Sequence, residues 1–186
     1  WWEAHLNMKI AKKALACVLA LFLAGFLIPE RKAIPVSGAS PSDWNKDTFW
    51  FEPWGSSGVH KGIDIFADKG TPALSSTHML VLYAGSLPKG GNVIVGLGPS
   101  WRIHYFAHLE RASASIGELV WSGEIIGSIG DSGNAAGKPA HMHYSVLSLI
   151  PRPWEIDGAT QGWKKAFYVN PIDYLTGDDG PFDRAP

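Results

Sequence analysis

The residues most able to do chemistry sit in one stretch near the end of the chain, Ala140-His-Met-His-Tyr-Ser-Val146. Two histidines at i and i+2 ahead of Tyr144, Val146 and Leu147 read as part of a β-strand, expected over His141 to Leu149. Alternation along a strand sends His141 and His143 to the same side. Paired imidazoles on a stiff element can bind a metal together, or bind it with one ring and move protons with the other. In isolation the pair is equally well explained as two exposed polar positions.

A second cluster stands upstream. His60-Lys-Gly-Ile-Asp64 puts an imidazole and a carboxylate four residues apart at the entrance of an expected strand, Gly62 to Phe66. Both groups are good zinc ligands, and Gly62 between them is expected to let the backbone bend so that they converge. A third histidine, His108, ends the run Trp101 to Leu109. Simple alternation puts His104, Phe106 and His108 on one face, with Ile103, Tyr105 and Ala107 on the other. His104 and His78 are read as ordinary polar positions. Cys17 is the only cysteine and lies in an apolar run, so a metal site in the folded domain would have to be built from His, Asp or Glu.

The scaffold that must carry these groups is legible in outline. The chain has 186 residues, room for one domain with a substantial core. Its 16 Lys and Arg nearly balance 17 Asp and Glu, so nothing points to nucleic acid as a partner. The 21 glycines and 13 prolines cut the chain into short apolar runs, as a β-rich fold requires. Further strands are expected at Met79 to Ala84, Asn92 to Leu97, Leu119 to Trp121 and Glu124 to Ile129, with helical character only near Gln161 to Phe167. The prediction is a mainly β, single compact domain of antiparallel sheets with few short helices. The turn-rich run Gly117 to Gly130 has the rhythm of biotinyl and lipoyl carrier domains. No lysine falls between Gly117 and Gly137 to carry a cofactor, so the run is read as scaffold.

The amino-terminal region reads as a targeting segment. Lys9, Lys12 and Lys13 precede the apolar stretch Ala14 to Ile28, a basic start followed by a hydrophobic run. Export to the periplasm or outside the cell is expected, with residues 14–28 as a possible membrane anchor. The organisation expected is residues 1–7 as upstream or expression-derived sequence, 8–29 as signal peptide or anchor, 30–47 as linker, 48–175 as the folded domain and 176–186 as a flexible acidic tail. Of the nine tryptophans, Trp54, Trp101 and Trp121 could flank a groove, although packing explains most of them equally well.

Taken in order, His60-x-x-x-Asp64, Phe106-Ala-His108-Leu109, Gly130-Asp-Ser-Gly133 and His141-x-His143 resemble the lysostaphin-type zinc metallopeptidases, the LytM-domain family of peptidoglycan endopeptidases. The likeness extends to Gly70-Thr-Pro72, Gly91-Asn92 and Val169-Asn-Pro-Ile-Asp-Tyr-Leu175, covering roughly residues 58–175. It implies a LytM-like, barrel-sandwich-type core and one Zn2+ ion held by His60, Asp64 and His143. It also implies His108 and His141 as catalytic residues, a peptidoglycan peptide as substrate, and a monomer. Three ligands leave a fourth zinc position for chemistry. Zinc lowers the pKa of bound water toward about 7, and a neighbouring histidine can relay its proton. No His-Glu-x-x-His helix is present, so histidines must do the proton work. The resemblance departs at Phe106, where the family commonly has Tyr and an aromatic wall would remain. It departs again at Trp54, near where some relatives carry a Tyr proposed to stabilise the transition state. A non-catalytic domain that binds the wall or activates an amidase is the alternative.

Overall fold

The computed structural model describes residues 2–177, with side chains from Asn7 onward. Of the tail expected over 176–186, residues 178–186 lie outside the described residues. A long helix, α1 (Trp2–Leu27), leads into nine strands. These are β1 (Ile63–Phe66), β2 (Pro72–Leu74), β3 (Met79–Leu87), β4 (Gly91–Leu97), β5 (Arg102–Ala112), β6 (Leu119–Val120), β7 (Ile125–Ile129), β8 (His141–Ser148) and β9 (Tyr168–Val169). A short helix, α2 (Pro171–Thr176), follows, capped by the Asn170 side chain accepting from the Ile172 N–H. The run expected to be helical near residue 161 forms 3₁₀ turns, Gly162–Phe167.

The strands join into one antiparallel sheet in the order β1-β8-β5-β4-β3-β6, with β7 bridging β2 and β5 and β9 edging β8. The mainly β fold expected from the sequence is therefore present. β2 and β9, of three and two residues, were not among the expected strands.

The register of β8 is what aims the histidines. Met142, Tyr144 and Val146 point into a core shared with Ile63, Ile65, Phe106, Ile94 and Ile129, all fully buried. Each such side chain contributes about 1.5–3 kcal/mol by leaving water. A one-residue slip would expose three of them and bury three polar side chains, so the core fixes the register. His141, His143 and Ser145 are thereby committed to the opposite face. Phe106, expected as a wall of the site, is instead wholly buried against Tyr144 on the core side.

Residues 33–37, within the stretch expected as a linker, run beside β2. Leu74 N–H donates to Pro35 O at 2.8 Å, Ser37 N–H to Pro72 O at 3.0 Å, and Val36 is buried opposite Ala73. Just before them Glu30 meets Arg102 at 2.6 Å and accepts from the Tyr174 hydroxyl at 3.0 Å. Helix α1 packs its end on the domain through Phe22, stacked on Trp101, whose indole N–H donates to Phe22 O. Asn7–Leu27, with mean hydropathy 2.0, is among the described residues the one helix long and apolar enough to cross a membrane.

Candidate active site

Three neighbouring strands carry the site. Antiparallel pairing sets Asp64 of β1 directly opposite His143 of β8, and Phe66 opposite His141. On the other side of β8, His143 stands opposite Ala107 of β5. His60 lies just ahead of β1, pinned by backbone bonds on both sides: Trp50 N–H to His60 O at 2.7 Å and His60 N–H to Phe51 O at 3.0 Å. Gly62 lies at a bend just ahead of β1, as expected, without a positive φ. It is needed for close approach: a Cβ there would come 2.5 Å from Ser145 Oγ and 2.9 Å from the His143 ring.

The result is a tight triangle of donors. His60 Nε2 lies 3.2 Å from Asp64 Oδ1 and 3.0 Å from His143 Nδ1, and His143 Nδ1 lies 2.9 Å from Asp64 Oδ1. The outer bonds say where the ring protons are. His60 Nδ1 faces Thr48 O at 3.0 Å; a carbonyl only accepts, so that nitrogen carries the proton and Nε2 is bare. Ser145 donates its hydroxyl to Lys61 O at 2.8 Å, so its lone pair accepts from His143 Nε2–H at 2.9 Å, leaving Nδ1 bare. Two imidazole lone pairs and a carboxylate oxygen thus converge with no proton among them, an arrangement that repels itself unless a cation sits at the centre. Donors about 2.0–2.1 Å from a tetrahedral zinc lie roughly 3.3 Å apart, close to what is found here. The residues fit a zinc ion.

Beside the triangle stand the other two histidines. The His108 ring lies 5.0 Å from that of His141 and 6.1 Å from that of His143. His108 has φ 63°, and here two β5 residues, Ala107 and His108, oppose the single Val93 of β4. This bulge breaks alternation, so His108 shares the cleft with Tyr105 rather than the core face with His104 and Phe106. Its Nδ1 donates to Ser132 O at 2.9 Å, and His141 Nδ1 donates to Pro139 O at 2.8 Å. Each ring therefore uses Nδ1 on the backbone, and Nε2 is the nitrogen left for chemistry. Burial lowers the His108 pKa to about 4 against the pull of its bond to Ser132, so the ring is neutral near pH 7.

The other aromatic candidates separate cleanly. Trp54 stacks on the His60 ring at 4.1 Å and walls the cleft, whereas Trp101 meets α1 and Trp121 packs on His78. His78 Nδ1 accepts from Ser122 N–H. His104 is fully buried, bonded to Tyr144 and Ser76. Neither belongs to the site. The sequence reading missed Ser145, Tyr105 and Ser132. Ser145 had a signal, two residues beyond His143 on the same strand face. Tyr105 had none, because only the bulge puts it beside His108.

Known proteins resemble this chain in sequence and fold. The profile of Peptidase family M23 matches residues 58–152, a span that holds all five residues. An L-Ala–D-Glu endopeptidase of Bacillus subtilis (strain 168) is 35% identical over 135 residues, covering 62% of this chain and 39% of its own length. The catalytic domain of lysostaphin from Staphylococcus simulans has a TM-score of 0.54 at 24% identity, over 67% of this chain and 85% of that one. A zinc-containing peptidase from Vibrio cholerae has a TM-score of 0.51 at 25% identity, over 63% of this chain and 37% of that one. The chain spans well under half the length of the curated relatives it matches, 39% and 20% for the first two.

Proposed function

Because the chain belongs to peptidase family M23, we propose that it is a zinc-dependent endopeptidase that hydrolyses peptide stems or cross-links of bacterial peptidoglycan. The observation that carries this reading is the triangle of donors on His60, Asp64 and His143, with two further imidazoles beside it. His60 Nε2, Asp64 Oδ1 and His143 Nδ1 would hold the ion. Zinc, when bound there, supplies a Lewis acid that polarises a carbonyl and acidifies water toward a pKa of about 7.

The chain's own groups supply the proton transfers. With Nδ1–H bound to backbone carbonyls, His108 and His141 both start as bases, each with Nε2 as the nitrogen left for chemistry. Neither can donate to a developing oxyanion until it has taken a proton. Taking one from the attacking water makes an imidazolium that can then protonate the leaving amine. Tyr105, whose pKa burial raises, keeps its hydroxyl proton and gives the cleft a neutral donor from the start. Trp54 over His60 and residues 55–57 wall one side of the cleft. All these groups come from one chain, which supports action as a monomer. Helix α1 supports export, as a cleaved signal or a retained anchor, which puts the domain in the periplasm or outside the cell where peptidoglycan lies.

The test is incubation of the zinc-loaded protein with purified peptidoglycan, with and without a chelator, and mass analysis of the released fragments. Chelator-sensitive release of muropeptides cut at a peptide bond is expected. Zinc-loaded protein that binds the wall but releases nothing would replace this reading with a non-catalytic wall-binding or amidase-activating role.

A further inference from the structure

The wall of the cleft on the Trp54 side carries a charge pattern that the hydrolytic reading does not use. This cavity of about 320 Å³ is lined by His60, His108 and His143 together with Lys61, Lys89 and Lys138. Among the described residues, no Asp or Glu lines it. The three lysines come from separate parts of the chain: beside the ligand His60, in the turn between β3 and β4, and in the loop leading into β8. Among the described residues no carboxylate pairs with any of them. Lys61 Nζ donates to Ser57 O at 3.1 Å and Val59 O at 3.5 Å, and Lys89 Nζ to Ser56 Oγ at 2.8 Å.

Several cations elsewhere on the domain do have carboxylate partners. Lys69 pairs with Glu110 and Asp131 at 2.9 Å, Arg152 with Glu155 at 3.6 Å, and Lys165 with Asp157. The three cleft lysines share one cavity wall instead. Like charges gathered without counter-ions beside a reaction centre cost stability, and an anionic ligand would relieve that cost.

We infer that Lys61, Lys89 and Lys138 form a subsite for a free carboxylate next to the scissile bond, so that the favoured substrate is an anionic stem peptide rather than an uncharged glycine bridge. The inference rests on the endopeptidase reading for the word substrate. The lysine subsite itself would also hold for a cleft that only binds. An amidated side chain, or glycine, offers nothing for an ammonium group to pair with beyond what water supplies.

The experiment uses the full chain, zinc-loaded, and two synthetic stem peptides that differ only in a glutamate carboxylate being free or amidated. Cleavage is followed as kcat/KM and binding by calorimetry. A preference for the free acid of roughly tenfold is expected, the size of one or two partly exposed ion pairs. It should shrink to within about twofold at about 0.5 M salt. It should also collapse in the double variant Lys89→Met/Lys138→Met, whose exposed positions should not disturb folding, and separately weaken in Lys61→Met. Equal cleavage and equal binding of the two peptides would overturn the subsite and leave the endopeptidase reading standing. If neither peptide is cut but the acid binds more tightly, the hydrolytic reading fails and the subsite survives; if neither is cut and both bind alike, both fail.

Discussion

The hydroxyl of Ser145 controls which nitrogen of His143 is available to a metal. It accepts from His143 Nε2–H at 2.9 Å and donates to Lys61 O at 2.8 Å, so it locks the ring with Nδ1 facing Asp64 and His60. Ser145→Ala removes that lock without touching a ligand. Groups that orient a metal-bound histidine are worth about 10–100-fold in metal affinity, which is roughly 1.4–2.7 kcal/mol. An independent estimate agrees: one hydrogen bond to the ring, at about 1 kcal/mol, plus the freedom the ring regains to rotate away. The bond lost at Lys61 O acts on the metal-free fold as well, so a stability loss of about 1 kcal/mol accompanies the change. The assay is a competition titration against a chromophoric zinc chelator, with thermal melting of the metal-free protein alongside. Zinc should bind about 10–100-fold more weakly to Ser145→Ala, and Ser145→Thr should restore most of the loss because it keeps the hydroxyl. Affinity within about twofold of the parent in a folded Ser145→Ala protein would refute the proton assignment, and with it the claim that three lone pairs converge. A Ser145→Thr protein as weak as the alanine variant would show that packing, not the hydroxyl, is what matters.

Further outcomes follow from the same contacts. His108→Asn, chosen because asparagine tolerates the positive φ, should keep zinc and the fold while activity falls about 10²–10⁴-fold; near-normal turnover would remove His108 from the proton path. His104 is fully buried and its pKa is lowered to about 3, by burial first and then by the charge of Arg102, so the native state holds it neutral. The unfolded chain takes up that proton below its ordinary value of about 6.5, so stability is full above that pH and is lost as pH falls toward 3, at up to about 1.4 kcal/mol per pH unit. Denaturant titrations from pH 7 to 4 should show a shallower loss in His104→Gln than in the parent, and parallel curves would contradict it. Glu30→Ala removes charge-assisted bonds to Arg102 and Tyr174 and should cost roughly 1.5–3 kcal/mol; an unchanged melting temperature would mean that residues 30–37 do not belong to the folded unit.

What could be read from the sequence was whatever survives as local pattern. His141, His143 and Asp64 sit in strands whose neighbours alternate, and their shared side follows from the pleat alone. His60 was legible only by its spacing to Asp64, because what holds it is backbone pairing to Trp50 and Phe51, which no residue type announces. Residues 33–37 looked like a linker because Pro, Ser, Ala and Gly are frequent across residues 31–43. Such a segment can still add itself to a sheet edge when one side chain, here Val36, finds the core. The cleft lysines were equally silent: positions 61, 89 and 138 acquire a common meaning only when the β3–β4 turn and the loop before β8 meet over His60.

The failure at His108 is the most informative, because a period-2 rule cannot foresee a residue inserted into a ladder. β5 spends one extra residue between Phe106 and Leu109 and holds a histidine in the left-handed region, a conformation costing on the order of 1 kcal/mol or more for a side chain of this kind. That strain has a local return. His108 N–H still reaches Gly90 O at 2.8 Å, Leu109 resumes the core, and Asn92 and Ser132 close over the gap through Asn92 N–H to Ser132 Oγ and Ser132 Oγ–H to Leu109 O. Ser132 then offers its carbonyl to His108 Nδ1. One bulge therefore turns the imidazole out of the core, fixes its proton on the far nitrogen, and ties the Gly-Asp-Ser-Gly segment to the strand that needs it. Without the extra residue the ring would lie on the face of Phe106, buried and out of reach of His141 and His143, and the proposed site would keep the His60, Asp64 and His143 cluster but lose one of its two proposed bases.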